Sequence, residues 1–447
     1  MNTPLADHLA AQRWFRGKGR AIAGATIDDV IPIGAGAAFA IATVTYRDDG
    51  DDTYALVVRP DDGERRDELG RPEVGAALLD AFVTERELRG ARHLVRFHRT
   101  PALAAAMRDA AGSLATRPSG VEQSNTSIMY GDALVLKVVR RVEGGASLDV
   151  EMGAYLARAG FGGVPAVAGW IEMTPLDAAR EGALSTLGTL HRFVPNQGDA
   201  WAFTLAELAR ARDPGSYRAH ARRIGARTAE MHAALAAPTS DPAFAPEPFD
   251  RVEQGRLARA VRRTLDGACE GLASMLPSLD AGTRVSVDAV LRSRVAIDAR
   301  LDRFAHASLA APRTRVHGDL HLGQLLVTPD DDFVIVDFEG EPARPLAERR
   351  QKRSPIADVA GMLRSFHYAS STAGAPAAWH RATGSAFLDA YTAAMSGHGA
   401  LADGAELALL VEFYVLEKAV YELGYEIANR PTWIGIPLAG LLDIVGA

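Results

Sequence analysis

Reactive side chains are densest between Val316 and Glu341 of this 447-residue chain. The stretch opens with His317-Gly318-Asp319-Leu320-His321 and reaches Gln324. It then passes through the apolar run Phe333 to Val336 and ends on Asp337-Phe338-Glu339. Phosphoryl transfer needs a carboxylate that orients the attacking hydroxyl and finally takes its proton. It also needs oxygen ligands that hold Mg2+ across the donor phosphates. Asp319 suits the first task. Gln324, five residues on, and Asp337, at the end of a strand, suit the second, because Mg2+ keeps several waters and asks for few protein oxygens. A lone His-Gly-Asp is more often a turn, and Asp-Phe-Glu alone means little. The offset of Gln324 and the hairpin-like separation make the set a site. His317 is read as a brace for the loop, and His321 stays open between site and scaffold.

The nucleotide half is expected upstream. Lys137 sits inside the apolar strand Ala133 to Val139, where an unpaired ammonium would be costly. A donor phosphate and a helix carboxylate relieve that cost. Glu151 is the natural partner and Asp149 its rival. Gly34 and Gly36 invite a dinucleotide reading, but the third glycine and the βαβ unit are missing, and no P-loop lysine motif occurs. Two other classes fit less of this set. A metal-dependent hydrolase would use His317, Asp319 and His321 with His367 or His380, yet leaves Lys137 and Asp337 without a task. A non-catalytic pseudokinase would have no reason to keep Lys137, Asp319, Gln324 and Asp337 together.

The elements that must position these groups fall into three stretches. Residues 1–90 read as an N-terminal cap subdomain: β-like runs Ala25 to Ile33, Ala38 to Tyr46 and Tyr54 to Arg59, a turn at Asp48 to Asp52, then a helix from Glu73 to Leu88. Residues 91–195 read as an intermediate nucleotide-binding subdomain that completes the N-lobe with the cap. In it, Ser127 to Tyr130 and Ala133 to Val139 flank the Gly131-Asp132 turn, and a helix from Leu148 stops at Gly160. Residues 196–447 read as a helical C-terminal lobe with Trp201 to Ala211, Tyr217 to Ala236, Val252 to Met275 and a helix carrying Val290, Ile297, Leu301 and Phe304. In the last long helix, Glu412 to Asn429, Tyr414, Lys418, Tyr421 and Tyr425 share a face, with Glu422 and Glu426 beside it. Aromatic rings for C–H faces and acids for hydroxyls suit a sugar acceptor. The fold class is therefore α+β.

Composition sets the outer bounds. Hydrophobic residues make up 48% and charged residues 23%, enough to bury a sizeable core. A net charge of -7 gives no support for a general affinity for nucleic acid or an anionic membrane. The single cysteine, Cys269, excludes an internal disulfide and fits a reducing compartment. Met1 to Ala11 lacks a basic region followed by an apolar run, and no stretch approaches the ~20 apolar residues of a membrane span. The expected location is cytoplasmic, and the expected partners are small molecules.

The stretch His317 to Glu339 resembles the aminoglycoside phosphotransferase-like kinases, and more closely the actinobacterial maltokinase group and the related glucosamine kinases. The resemblance extends through Gly340-Glu341-Pro342, Arg349 to Pro355, Asp358 to Phe366, Lys418 to Tyr425 and Asn429 to Trp433. It also covers Glu122 to Ser127 and Val194 to Asp199, and Gln12-Arg13-Trp14-Phe15 looks like the start of that group's cap. The resemblance implies a two-lobed protein-kinase-like fold and an ATP- and Mg2+-dependent sugar kinase. It implies Asp319 as catalytic base, Gln324 and Asp337 as metal ligands and Glu339 as an aid to a second metal or the acceptor. It further implies Ser124, Asn125, Thr126 and Ser127 as the phosphate-covering loop beside Lys137 and Glu151, with adenine on backbone groups near Leu190 to Val194. The implied acceptor residues are Asp319, His321, Lys418, Tyr421, Glu422, Tyr425 and Glu426.

The pattern departs at three places. Gln324 replaces the usual asparagine, His367 stands where maltokinases carry aspartate, and Ile434-Gly435 replaces a leucine-proline pair. The last two tilt the acceptor from maltose, phosphorylated at its anomeric hydroxyl, towards glucosamine, phosphorylated at its 6-hydroxyl.

Overall fold

A computed structural model describes residues 4–60, 67–110, 114–119, 125–177, 184–211, 213, 215–399, 401–402 and 404–446. The chain divides into two compact units, one of residues 1–158 and 164–195, the other of residues 159–163 and 196–447.

The first unit runs α1 (Pro4–Ala11), β1 (Ile22–Gly34), β2 (Ala37–Tyr46), β3 (Asp51–Val58), α2 (Pro72–Val83), β4 (Glu87–Arg89), β5 (His93–Arg99), α3 (Pro101–Asp109), β6 (Thr116–Pro118), β7 (Asn125–Tyr130), β8 (Leu134–Val139), β9 (Arg141–Val142), α4 (Leu148–Arg158), β10 (Val167–Pro175) and β11 (Ser185–Arg192). Its strands form two antiparallel sheets, β1-β2-β3-β9 and β4-β5-β10-β11-β8-β7-β6. β2 is apolar almost throughout because both its faces are covered. Ala40, Ala42 and Val44 meet Leu5, Leu9, Trp14 and Phe15 of the N-terminal segment. Phe39 and Ile41 point the other way, into the core shared with α2 and the seven-stranded sheet.

The helix expected over Glu73 to Leu88 ends earlier, at Val83. Thr84 turns its hydroxyl onto the Asp80 carbonyl, Glu85 takes φ +48°, and Glu87–Arg89 leaves as a strand. The expected hairpin at Gly131-Asp132 pairs Tyr130 with Leu134, and Gly131 sits at φ +54°.

The second unit runs α5 (Ala200–Arg210), α6 (Arg218–Leu235), α7 (Arg251–Met275), α8 (Ala281–Arg292), α9 (Arg294–His306), β12 (Leu325–Val327), β13 (Phe333–Ile335), α10 (Leu346–Arg349), α11 (Ile356–Thr372), α12 (Ala377–Met395), α13 (Gly404–Asn429) and α14 (Gly435–Val445). Val290 does not share a helix with Ile297 and Phe304. The Ser293 hydroxyl bonds the Ala289 carbonyl, and the chain restarts as α9. α13 begins at Gly404, ahead of the expected Glu412, and packs on α7, α9, α11 and α14. Phe304 of α9 stacks on Phe413 at a 3.5 Å centroid distance. No described helix is long and apolar enough to cross a membrane.

Candidate functional site

In the second unit the reactive segment is a loop, a 3-10 turn and a hairpin. Gly318 takes φ +84°, a conformation cheap only for glycine, and this lets the backbone of the loop turn two N–H groups onto one acceptor. That acceptor is Asp358 of α11, which receives the N–H of His317 at 2.7 Å and of Gly318 at 2.9 Å. His232 of α6 adds a third bond at 3.0 Å from Nε2, and its Nδ1 meets the Tyr391 hydroxyl of α12 at 2.9 Å. Burial alone would push the Asp358 carboxyl up. The bond and charge of His232, the charge of His317 and the Gly318 N–H reverse the sign and hold it below the ordinary range. His317 braces the loop as expected: Nε2 meets the Val336 carbonyl at 2.9 Å, and Nδ1 accepts the Asp319 N–H at 3.3 Å.

This bracing presents Asp319, whose side chain is 15% exposed. His321 accepts the Gly323 N–H on Nδ1 at 3.0 Å, which leaves Nε2 to carry the proton and face Asp319 Oδ2 at 4.0 Å. Burial, the largest cause, lowers the His321 pKa and keeps the ring neutral. Gln324 closes the 3-10 turn, and its carbonyl accepts the Val336 N–H at 3.0 Å, so Asp337 follows directly beside it. Asp337 takes φ +69° and Gly340 φ +70°, bending the chain sharply after β13. Gln324 and Asp337 thus offer two hard oxygens on adjacent backbone. That donor set fits Mg2+ completed by water and phosphate, rather than a dedicated protein cage. Among the described residues no group of three or more His, Cys, Asp or Glu is arranged to hold a metal.

α13 brings its predicted face to the same loop. Lys418 Nζ lies 3.3 Å from Asp319 Oδ1 and 3.7 Å from Glu341 Oε2. Burial would depress this ammonium, but Asp319, Glu341 and Glu422 together hold it above the ordinary lysine value. Tyr421 lies with its ring 5.2 Å from Lys418 Nζ and stacks towards Tyr425 at 6.4 Å. Glu422 and Glu426 point inward, each on an arginine. Arg364 Nε reaches Glu422 at 2.8 Å, and Arg430 reaches Glu426 at 2.7 and 2.9 Å, with the Tyr368 hydroxyl adding a bond at 3.1 Å. Arg430 also lies over Trp433, 4.8 Å from its centroid. His367, one of the departures from the maltokinase pattern, accepts from Arg364 Nη1 at 2.6 Å. Burial first, then the charges of Arg364 and His380, push its pKa down to about 3.

In the first unit, Lys137 stands on β8 opposite Thr189 and Ser127. Its Nζ is 4.0 Å from Asp149 Oδ2, at the start of α4. Asp149 also bonds His191 Nε2 at 2.9 Å, a partner that sequence reasoning missed. Glu151 lies one residue beyond Val150 in the same first helical turn. Glu122, Gln123 and Ser124 fall outside the described residues. Asn125 begins β7, and the Thr126 hydroxyl accepts from Arg140 Nε at 2.8 Å. Arg140 is fully buried, pairs with Asp67 and lies under Trp14, which ties this strand to the N-terminal segment. Asp358, His232 and Arg364 join distant elements of this unit and carry no signal in the sequence. His232 and Asp358 are 126 residues apart and Arg364 and Glu422 are 58 apart, so no local pattern marks these pairs.

Known proteins add an independent line. The description "Phosphotransferase enzyme family" matches residues 113–340, and "Maltokinase N-terminal cap domain" matches residues 8–83. A glucosamine kinase of Mycolicibacterium smegmatis is 30% identical over 341 residues, covering 73% of this chain and 78% of that protein. A glucosamine kinase of Streptacidiphilus jiangxiensis is 31% identical over 344 residues, covering 73% and 72%. A solved glucosamine kinase superposes with a TM-score of 0.71 at 23% identity over 99% of both chains, so the fold is kinase-like. The chain therefore belongs to the phosphotransferase enzyme family and carries a maltokinase-type cap ahead of its kinase-like core.

Proposed function

We propose that this protein transfers the γ-phosphate of ATP to the 6-hydroxyl of glucosamine. The observation that carries the reading is the identity of 30% and 31% with two glucosamine kinases across 73% of the chain. A solved relative of the same fold holds glucosamine, ADP and inorganic phosphate. In this reading Lys137, set by Asp149 or Glu151, meets the donor phosphates with Asn125, Thr126, Ser127 and Ser124 nearby. Gln324 and Asp337, with Glu339, hold Mg2+, which neutralises charge on the phosphates when bound. Asp319 orients the acceptor hydroxyl. Tyr421 and Tyr425 offer ring faces, and Glu422 and Glu426 use the lone pairs that their arginines leave open for sugar hydroxyls or the C2 ammonium. The partners are small molecules, and the location is the cytoplasm.

One observation favours a second acceptor: the cap matches the maltokinase description, which supports maltose phosphorylated at C1. ADP release measured with glucosamine and maltose, followed by NMR of the product, separates the two. Glucosamine 6-phosphate supports the first reading, and maltose 1-phosphate replaces it.

A further inference from the structure

The two oxygens of Asp319 are not equivalent. Oδ1 lies 3.3 Å from the Lys418 ammonium, whereas among the described residues Oδ2 faces the His321 Nε2 at 4.0 Å. Lys418 comes from α13, 99 residues downstream, on the face that also carries Tyr421. Its ammonium also sits 3.7 Å from Glu341, so it separates two carboxylates that would otherwise face each other with 15% of each side chain exposed. The cavity lined by Asp319, Glu341, Lys418 and Tyr421 measures about 40 Å3, room for roughly one water.

We propose that Lys418 is a positioning residue for the reaction. It holds Asp319 by Oδ1 and leaves Oδ2 to receive the acceptor hydroxyl. This rests on the sugar-kinase reading. In the transfer, the acceptor oxygen bonds the γ-phosphorus while the bond from that phosphorus to the bridging oxygen breaks and its electron pair leaves on ADP. The hydroxyl proton passes to Asp319 Oδ2. A carboxylate beside an ammonium is a weak base but a well-oriented one. A loose transition state needs orientation more than early proton abstraction. Because the lysine belongs to the acceptor-facing helix, the surface that would hold the sugar also sets the angle of the base.

The test uses the full-length enzyme with Mg-ATP and glucosamine. Lys418→Ala is expected to lower kcat by about 100-fold, the order of a lost positioning contact, with KM for ATP unchanged within about twofold. Added ethylammonium is expected to restore at least about tenfold of that loss, and tetramethylammonium, which has no N–H, to restore none. Lys418→Met keeps the aliphatic stem. If the alanine variant does not fold, the methionine variant is expected to show the same kcat loss at unchanged KM for ATP. A variant that keeps kcat within about threefold, or a loss that ethylammonium does not repair in a folded Lys418→Ala protein, overturns the proposal. Wild-type protein that releases no ADP with any sugar overturns the underlying reading instead, so the two failures are distinct.

Discussion

Replacing Gly361 by alanine would put a methyl group against the loop that carries Asp319. An ideal Cβ at this point of α11 lies 2.5 Å from the Leu320 carbonyl oxygen, and real Cβ contacts essentially never fall below 3.0 Å. The loop must therefore retreat by about half an ångström or more. It cannot do so freely, because the Leu322 N–H is tied to Ser365 Oγ at 3.1 Å and the His317 and Gly318 N–H groups are tied to Asp358. A misplacement of ~1 Å at a reacting group can cost ~100-fold, so a retreat half that size is expected to cost about tenfold in kcat. Overpacking costs about 1–3 kcal/mol, and the better helix propensity of alanine returns about 1 kcal/mol. Gly267, exposed on α7 with nothing within 4 Å of an added Cβ, is the control. Gly267→Ala is expected to raise Tm by a few degrees and leave turnover alone. Steady-state ADP release and thermal melts of both variants decide the matter. If Gly361→Ala melts higher than wild type and keeps full kcat, the close approach of α11 does not position Asp319.

Asp319→Asn is expected to abolish turnover while ATP still shifts the melting temperature, and near-normal turnover would remove Asp319 as the base. Asp358→Asn strips a buried carboxylate from two backbone N–H groups and His232, an expected loss of about 2–4 kcal/mol in denaturant melts. Because the Asp358 pKa is lowered on folding, its contribution is present above the unfolded value of about 4 and fades below it. The gap between wild type and Asp358→Asn should therefore stay flat from pH 5 to 8 and narrow in stronger acid. His367, with its pKa pushed down to about 3, binds a proton more readily in the unfolded chain. Wild-type stability should thus fall by about 2 kcal/mol between pH 7 and pH 5, and His367→Gln, which still accepts from Arg364, should lose less. Gln324→Leu is expected to raise the Mg2+ concentration for half-maximal turnover by about tenfold, measured by Mg2+ titration after EDTA treatment.

The grouping of the reactive segment was legible because its residues are close in sequence. His317, Asp319, Gln324 and Asp337 lie along one loop and hairpin, so spacing alone brought them together. The Lys418 face was legible through helical periodicity, which also aligned Tyr421 and Tyr425. The keystones were not legible. Asp358 joins α11 to His232 at a sequence separation of 126, and Arg364 reaches Glu422 across 58 residues. A buried acid and its distant partner leave no local pattern. Element ends misread for local reasons that propensity does not encode. Glu85 adopts a positive φ after α2, and Ser293 turns its hydroxyl back on its own helix. Periodicity placed Glu422 and Glu426 beside the Lys418 face but could not show the arginines, from α11 and from just beyond α13, that pair with them.

Glucosamine is the proposed acceptor of this phosphotransferase. The most direct test of that assignment is coupled ADP release with Mg-ATP against glucosamine, maltose, glucose and an aminoglycoside, with NMR of the product. The expected result is a marked preference for glucosamine and phosphate on its 6-hydroxyl. Preferential turnover of maltose with phosphate at C1, or no ADP release with glucosamine, would contradict it.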